Sequence, residues 1–230
     1  MKNWILAAVA LGGGLTGAGA IWAVRPHGNG ENVRAYLLAH PEVIPEAMAR
    51  LQEREAGRSV TANRAAIETP FGNAVAGNPR GDVTLVEYYD YNCGFCRASL
   101  PIIRRLVADD PKLRVVFREL PVLAPTSRDA ARMSLLAAAQ GKFARFHEAL
   151  YDNGRVTPAS IAAAARTAGV DTSRLAALTP RIDAEIARNL EVAGKLGMSG
   201  TPSWVVGDQL LSGALPIEEL KRAIATARSR

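Results

Sequence analysis

Thr84-Leu85-Val86-Glu87-Tyr88-Tyr89-Asp90-Tyr91-Asn92-Cys93-Gly94-Phe95-Cys96 is the stretch that decides the fold. Its first six residues are rich in β-formers and read as a strand. A short loop follows, and from Cys93 to Val107 the apolar residues Leu100, Ile103, Leu106 and Val107 recur at helical spacing. Asp109-Asp110-Pro111 ends that helix, and Leu113, Val115 and Phe117 then alternate as a second strand running to Leu120. The expectation is a β-α-β unit with both cysteines at the start of its helix.

Outward from this unit, Asn78-Pro79-Arg80-Gly81 is a turn that opens the main domain. Beyond it, Pro125 to Leu196 reads as helical throughout. Thr157-Pro158 caps one helix, Gly169 ends it, and Asp171 starts a region that Pro180 should divide. Strands return at Ser203–Val206 and Gln209–Leu211 around a Gly207-Asp208 turn, which suggests a tight antiparallel hairpin. A last helix runs from about Pro216 to Arg228. An α/β pattern that opens, gives way to helices and resumes is one domain, 70–230, with a helical insertion at about 125–196.

Ahead of it, Glu31 to Ile67 reads as helix interrupted by Pro41 and Pro45, an N-terminal helical segment at 31–68. Its apolar stripe (Val33, Tyr36, Leu37, Leu38, then Ile44, Met48, Leu51) is narrow and surrounded by charge. Such a stripe wants a partner helix, in this chain or in another copy. Residues 1–24 are of another kind: Lys2 precedes an uncharged stretch from Trp4 to Val24. It reads as a cleaved signal peptide with Ala18-Gly19-Ala20 as the processing site, or as an uncleaved anchor in the inner membrane. Either reading places the rest of the chain outside the cytoplasm.

Hydrophobic residues make up 48% and charged residues 22% of the chain, a globular composition. The net charge of +6 is spread along the sequence and interleaved with acids, which argues for solubility rather than nucleic-acid binding. The chain has only two cysteines, too few for a disulfide-stapled scaffold. A bridge between Cys93 and Cys96 closes so small a loop that it removes little unfolded-state entropy. It makes better sense as a reactive bond. At a helix N-terminus a sulfur meets unpaired N–H groups and the positive end of the dipole, both of which favour the thiolate that performs disulfide exchange. Cys96, one turn on, can resolve a mixed disulfide formed at Cys93. A structural zinc site would need a second cysteine pair, and the three histidines, His27, His40 and His147, are scattered. No metal site and no cofactor is expected.

Three further positions bear on this chemistry. Glu87 either points to solvent or, buried beside the cysteines, accepts a proton from Cys96 with a raised pKa. Pro101 lies inside the cysteine helix, where it should kink it. Thr201-Pro202, after Gly200 and before a strand, is compatible with a cis bond or an ordinary trans turn.

As a set, these residues resemble the thioredoxin superfamily, and specifically its DsbA-like branch, with the helical insertion as the distinguishing feature. The resemblance implies a central sheet flanked by helices, with Cys93 as nucleophile, Cys96 as resolving thiol and the Thr201-Pro202 loop, with its proline in cis, holding substrate backbone. Phe146-His147-Glu148-Ala149-Leu150-Tyr151 looks like a recurrent helix of the insertion, so His147 is read as structural. Val33-Arg34-Ala35-Tyr36-Leu37-Leu38 and His40-Pro41-Glu42-Val43-Ile44-Pro45-Glu46-Ala47 resemble the N-terminal segment of the ScsC-type subgroup. Those proteins are associated with copper tolerance, and some oligomerise through this segment and act as disulfide isomerases. The implied partners are exported cysteine-containing proteins, a membrane redox partner and further copies of the chain. The implied location is the periplasm. One departure matters: strong oxidases of this branch carry Pro-His between their cysteines, whereas Gly94-Phe95 offers neither charge nor side-chain donor. A less stabilised thiolate and a less oxidising couple are expected, favouring isomerase or reductase activity. The competing expectation is a copper-tolerance protein that binds Cu(I) through the same two soft thiolates.

Overall fold

The computed structural model describes residues 29–229. In chain order the elements are α1 (Asn29–Ala39), α2 (Val43–Glu68), β1 (Val75–Gly77), β2 (Val83–Tyr89), α3 (Gly94–Asp109) and β3 (Leu113–Glu119). Four helices follow, α4 (Pro125–Ala139), α5 (Phe143–Asp152), α6 (Pro158–Ala168) and α7 (Leu175–Lys195), and then β4 (Ser203–Val206), β5 (Gln209–Ser212) and α8 (Ile217–Arg228). The sheet has the order β1-β3-β2-β4-β5, with β2 and β3 parallel and the other neighbours antiparallel. This is a thioredoxin-like α/β fold, with the helices α4–α7 between β3 and β4.

The sheet is covered on both faces, which is why β2 is buried nearly end to end instead of alternating with solvent. Leu85, Tyr89, Val115, Phe117 and Trp204 share one apolar cluster with Cys93, Cys96 and residues of α3, α4 and α5. Val86, Tyr88, Val116 and Val205 face the other way, against Val60 and Ile67 of α2 and Val192, Ala193 and Leu196 at the end of α7. The hairpin forms as expected. Val206 pairs with Gln209 across a two-residue turn, and Gly207 takes φ +57° there. Asp208 keeps a negative φ, so the turn has the sign pattern of type II′.

The chain divides into two compact units, Met1–Leu51 and Gln52–Arg230. The second begins earlier than a boundary near residue 70. Val60 and Ile67 are wholly buried, each contributing about 1.5–3 kcal/mol of apolar burial. Arg64 pairs with Glu68 at 2.8 Å and with Asp208 of the hairpin turn. The C-terminal half of α2 is thus part of the body that carries the sheet. In the first unit, Val33, Tyr36, Leu38, Ile44, Met48 and Leu51 are exposed.

Two expectations about proline are corrected. Pro45 does not interrupt α2 but lies in its first turn, where no N–H is needed; the break falls at residues 40–42. Pro180 does not divide α7, which runs from Leu175 to Lys195. It lies close enough to the helix start to remove a single hydrogen bond, and Thr179 beside it donates its hydroxyl to Leu175 O at 2.8 Å. Strand β1 was not foreseen, because three residues cannot display an alternation. The reading of residues 1–24 lies outside the described residues. No described helix is long and apolar enough to cross a membrane.

Candidate active site at the start of the cysteine helix

Cys93 is the N-cap of α3, with φ −83° and ψ 115°, and Cys96 lies in the first turn. The Cys93 sulfur accepts the backbone N–H of Cys96 at 3.4 Å, as a capping side chain does. Its S–H donates to the backbone carbonyl of Thr201 at 3.2 Å. The Thr201–Pro202 bond is cis, and β4 starts at the next residue, beside β2. Two segments 108 positions apart therefore meet at one sulfur. Both cysteines are free thiols; Cys93 is 6% exposed and Cys96 1%. Phe95 between them is 66% exposed. Pro101 lies inside α3, which continues past it to Asp109.

Glu87 sits at the centre of the sheet, opposite Phe117 on β3 and Trp204 on β4. It does not point to solvent: its side chain is 2% exposed, and Oε1 has no hydrogen-bond partner. Burial, and then the charge of the nearby Cys93 sulfur, push its carboxyl well above the usual range. The Cys96 thiol is pushed up as well, by burial first and by Glu87 second, while a hydrogen bond from the Asp90 backbone pulls it down. The charge of Glu87 thus raises the cost of charging Cys96, so proton loss from that thiol is tied to the state of the carboxyl. The structure thus gathers all five residues singled out in the sequence: Glu87, Cys93, Cys96, Thr201 and Pro202.

The sequence reading missed the polar frame behind them. Asp90, 1% exposed, accepts three backbone N–H groups on its carboxylate: Asn92 at 2.8 Å, and Val122 and Leu123 at 2.9 Å each. The Asp90–Asn92 contact is an Asx turn, and Asp two residues before Asn was its one legible signal. His147 is buried among Phe143, Phe117, Tyr89 and Tyr151 and shares a 2.9 Å hydrogen bond with Tyr91 through Nδ1. Burial lowers its pKa to about 3, so it stays neutral, as a structural histidine does.

Comparison with known proteins bears on the domain as a whole. Residues 84–225 match the DSBA-like thioredoxin domain family, and residues 30–57 match the N-terminal domain of the copper resistance protein ScsC. A thioredoxin-like oxidoreductase from Silicibacter pomeroyi DSS-3 is 41% identical, covers 73% of this chain and 99% of its own, and superposes with a TM-score of 0.69. A periplasmic thioredoxin-like protein from Salmonella enterica serovar Typhimurium is 27% identical, with coverages of 73% and 96% and a TM-score of 0.64. Among curated relatives, Na(+)/H(+) antiporter NhaA 1 of Salinispora arenicola (strain CNS-205) is 32% identical over 163 residues, which is 69% of this chain. The chain spans 25% of that antiporter's length. The chain belongs to the family of DsbA-like thioredoxin domains, a family of thiol–disulfide oxidoreductases, and carries a ScsC-type N-terminal segment ahead of that domain.

Proposed function

We propose that the protein exchanges disulfides with exported, cysteine-containing proteins in the periplasm, acting as an isomerase or reductase more readily than as a strong oxidase. The observation that carries this is the Cys93 sulfur at the helix start, held between the N–H of Cys96 and the carbonyl before cis-Pro202. In the reductive direction the Cys93 thiolate attacks one sulfur of a substrate disulfide. The substrate S–S bond breaks, its second sulfur leaves with a proton, and a Cys93–substrate disulfide forms. Cys96 then attacks the Cys93 sulfur, closing the Cys93–Cys96 disulfide and releasing the substrate as a dithiol. Glu87 takes the proton that Cys96 must lose: its charge acts on that thiol, which burial keeps protonated. The loop at Thr201 and Pro202 faces the substrate. In isomerisation a second substrate thiol attacks the mixed disulfide before Cys96 does.

Substrate chemistry is read from the rim. Within residues 52–230 the exposed large hydrophobic side chains are Phe95, Val122 and Leu123, one between the cysteines and two on the loop tied to Asp90. An apolar rim suits unfolded segments. The exposed apolar side chains of residues 33–51 support self-association through the first unit, and a membrane protein would restore the dithiol. The match to ScsC keeps the Cu(I) reading as the second one: two soft sulfurs suit that ion, and metal analysis of the reduced protein separates the two.

The test is Cys96→Ser, which leaves Cys93 able to attack and unable to be resolved. A mixed disulfide with scrambled ribonuclease should accumulate; absence of any adduct overturns exchange. Deleting residues up to 51 should then lower isomerase activity and the solution mass together. Deletion as far as 68 would instead remove Val60 and Ile67 from the core.

A further inference from the structure

Asp90 holds the turn that delivers Cys93, and its carbonyl and both of its carboxylate oxygens are engaged. Its backbone carbonyl accepts the N–H of Cys93 at 3.0 Å and the hydroxyl of Tyr151 at 3.2 Å. Its carboxylate accepts Asn92 on one oxygen and both Val122 and Leu123 on the other. One oxygen therefore shapes the turn that delivers Cys93, and the other ties that turn to the loop after β3. The three donors are all backbone N–H groups, so an acceptor on both oxygens is needed and only a carboxylate supplies it.

We propose that Asp90 is a positioning residue that sets how readily the Cys93–Cys96 disulfide closes. This rests on the exchange reading above. The carboxylate acts on neither sulfur directly; it fixes the turn whose carbonyl holds the N–H of Cys93. Closure is the step most sensitive to such a clamp: Cys96 attacks the Cys93 sulfur of a mixed disulfide, the bond to the departing sulfur breaks, and that sulfur leaves as a thiol with the proton that Cys96 passed to Glu87. A displacement of about 1 Å between reacting atoms can cost on the order of 100-fold. Asparagine keeps one acceptor and turns an NH₂ toward the remaining donors, so it preserves one tether and loses the other. Alanine loses both.

The experiment equilibrates wild type, Asp90→Asn, Asp90→Ala and Val122→Pro with glutathione buffers, and mass spectrometry counts dithiol, glutathione adduct and closed disulfide. Val122→Pro removes one donor to the carboxylate while keeping its charge. Circular dichroism confirms that each variant is folded. The expected result is a graded loss of closure, about 10-fold or more for Ala, smaller for Asn and for Val122→Pro, with adduct accumulating in the same order. Should Asp90→Ala not fold, Asn and Val122→Pro decide: both fall below wild type if the clamp is real. Wild-type closure in folded Asp90→Asn, whatever its melting temperature, overturns the proposal. So does equal loss in Asn and Ala with none in Val122→Pro, which would assign the effect to charge. Because the probe is glutathione, failure here leaves the ribonuclease adduct of Cys96→Ser as a separate test of exchange.

Discussion

The two faces of the sheet bury charge in opposite ways. On the face packed against α2 and α7, Arg118 is 2% exposed and uses all three of its nitrogens. Nε bonds Ile67 O at 2.9 Å, Nη1 bonds Glu185, and Nη2 bonds the carbonyls of Ala66 and Thr69. On the face packed against the cysteine helix, Glu87 has an oxygen with no partner at all. Both groups pay for desolvation, yet only the first is compensated. A buried charge with a complete set of partners fastens elements together: Arg118 holds the end of α2 to β3. A buried acid left without partners is free to change its protonation, and that is what a proton acceptor beside a thiol requires.

Four measurements can break or sharpen this contrast. Arg118→Met strands Glu185 and three carbonyls, and should cost about 3–5 kcal/mol in denaturant unfolding. Disulfide exchange by the protein that remains folded should be unchanged, and a large loss of that activity would dissolve the distinction between the faces. Glu87→Gln should do the reverse, slowing resolution of the mixed disulfide by about 100-fold or more. It should also stabilise the fold, and the sign follows from the raised carboxyl. Folding penalises the ionised form, so the penalty is absent below the ordinary carboxyl range and grows as pH rises toward the folded value. The gain from Gln should therefore be near zero at about pH 4 and clear at about pH 8; a gain of equal size at both would deny the titration.

Glu119 is the intermediate case on the cysteine face, buried with its pKa raised to about 8 and accepting the Tyr89 hydroxyl. Tyr89→Phe should cost about 1–3 kcal/mol, because it takes away a donor from a buried acid. The loss should be larger at about pH 9 than at about pH 6, since the ionised form needs that donor most. The smallest effect is expected from Phe95→His. The side chain is 66% exposed, so stability should move by less than about 0.5 kcal/mol. The couple should nonetheless become more oxidising in glutathione titration, and an unchanged potential would show that Gly94-Phe95 does not set the direction.

Much of the site was legible because its signals are local. Cys93 and Cys96 announce a helix start, Thr84 to Tyr89 a strand, and Gly207-Asp208 a turn, all within a few residues of the chain. The orientation of Glu87 was not, because a strand covered on both faces buries every residue and alternation carries no information there. The membership of α2 was hidden for another reason. Arg64 meets Asp208 across 144 positions, and Val60 and Ile67 form too thin a stripe to reveal which surface they cover. Asp90 was hidden most deeply. Its partners at Val122 and Leu123 are backbone N–H groups, which any non-proline residue would offer.

Trp204 lies in the same buried cluster as Cys93 and Cys96, opposite Glu87 in the sheet, with its indole N–H fixed on Gly213 O at 3.0 Å. It is the one tryptophan among the described residues; Trp4 and Trp22 precede them. A disulfide drains the excited state of a neighbouring indole far better than two thiols do. A chain starting after residue 25 thus carries its own optical gauge, in which ultraviolet emission from a single ring follows the opening and closing of the cysteine pair in real time, with no dye attached.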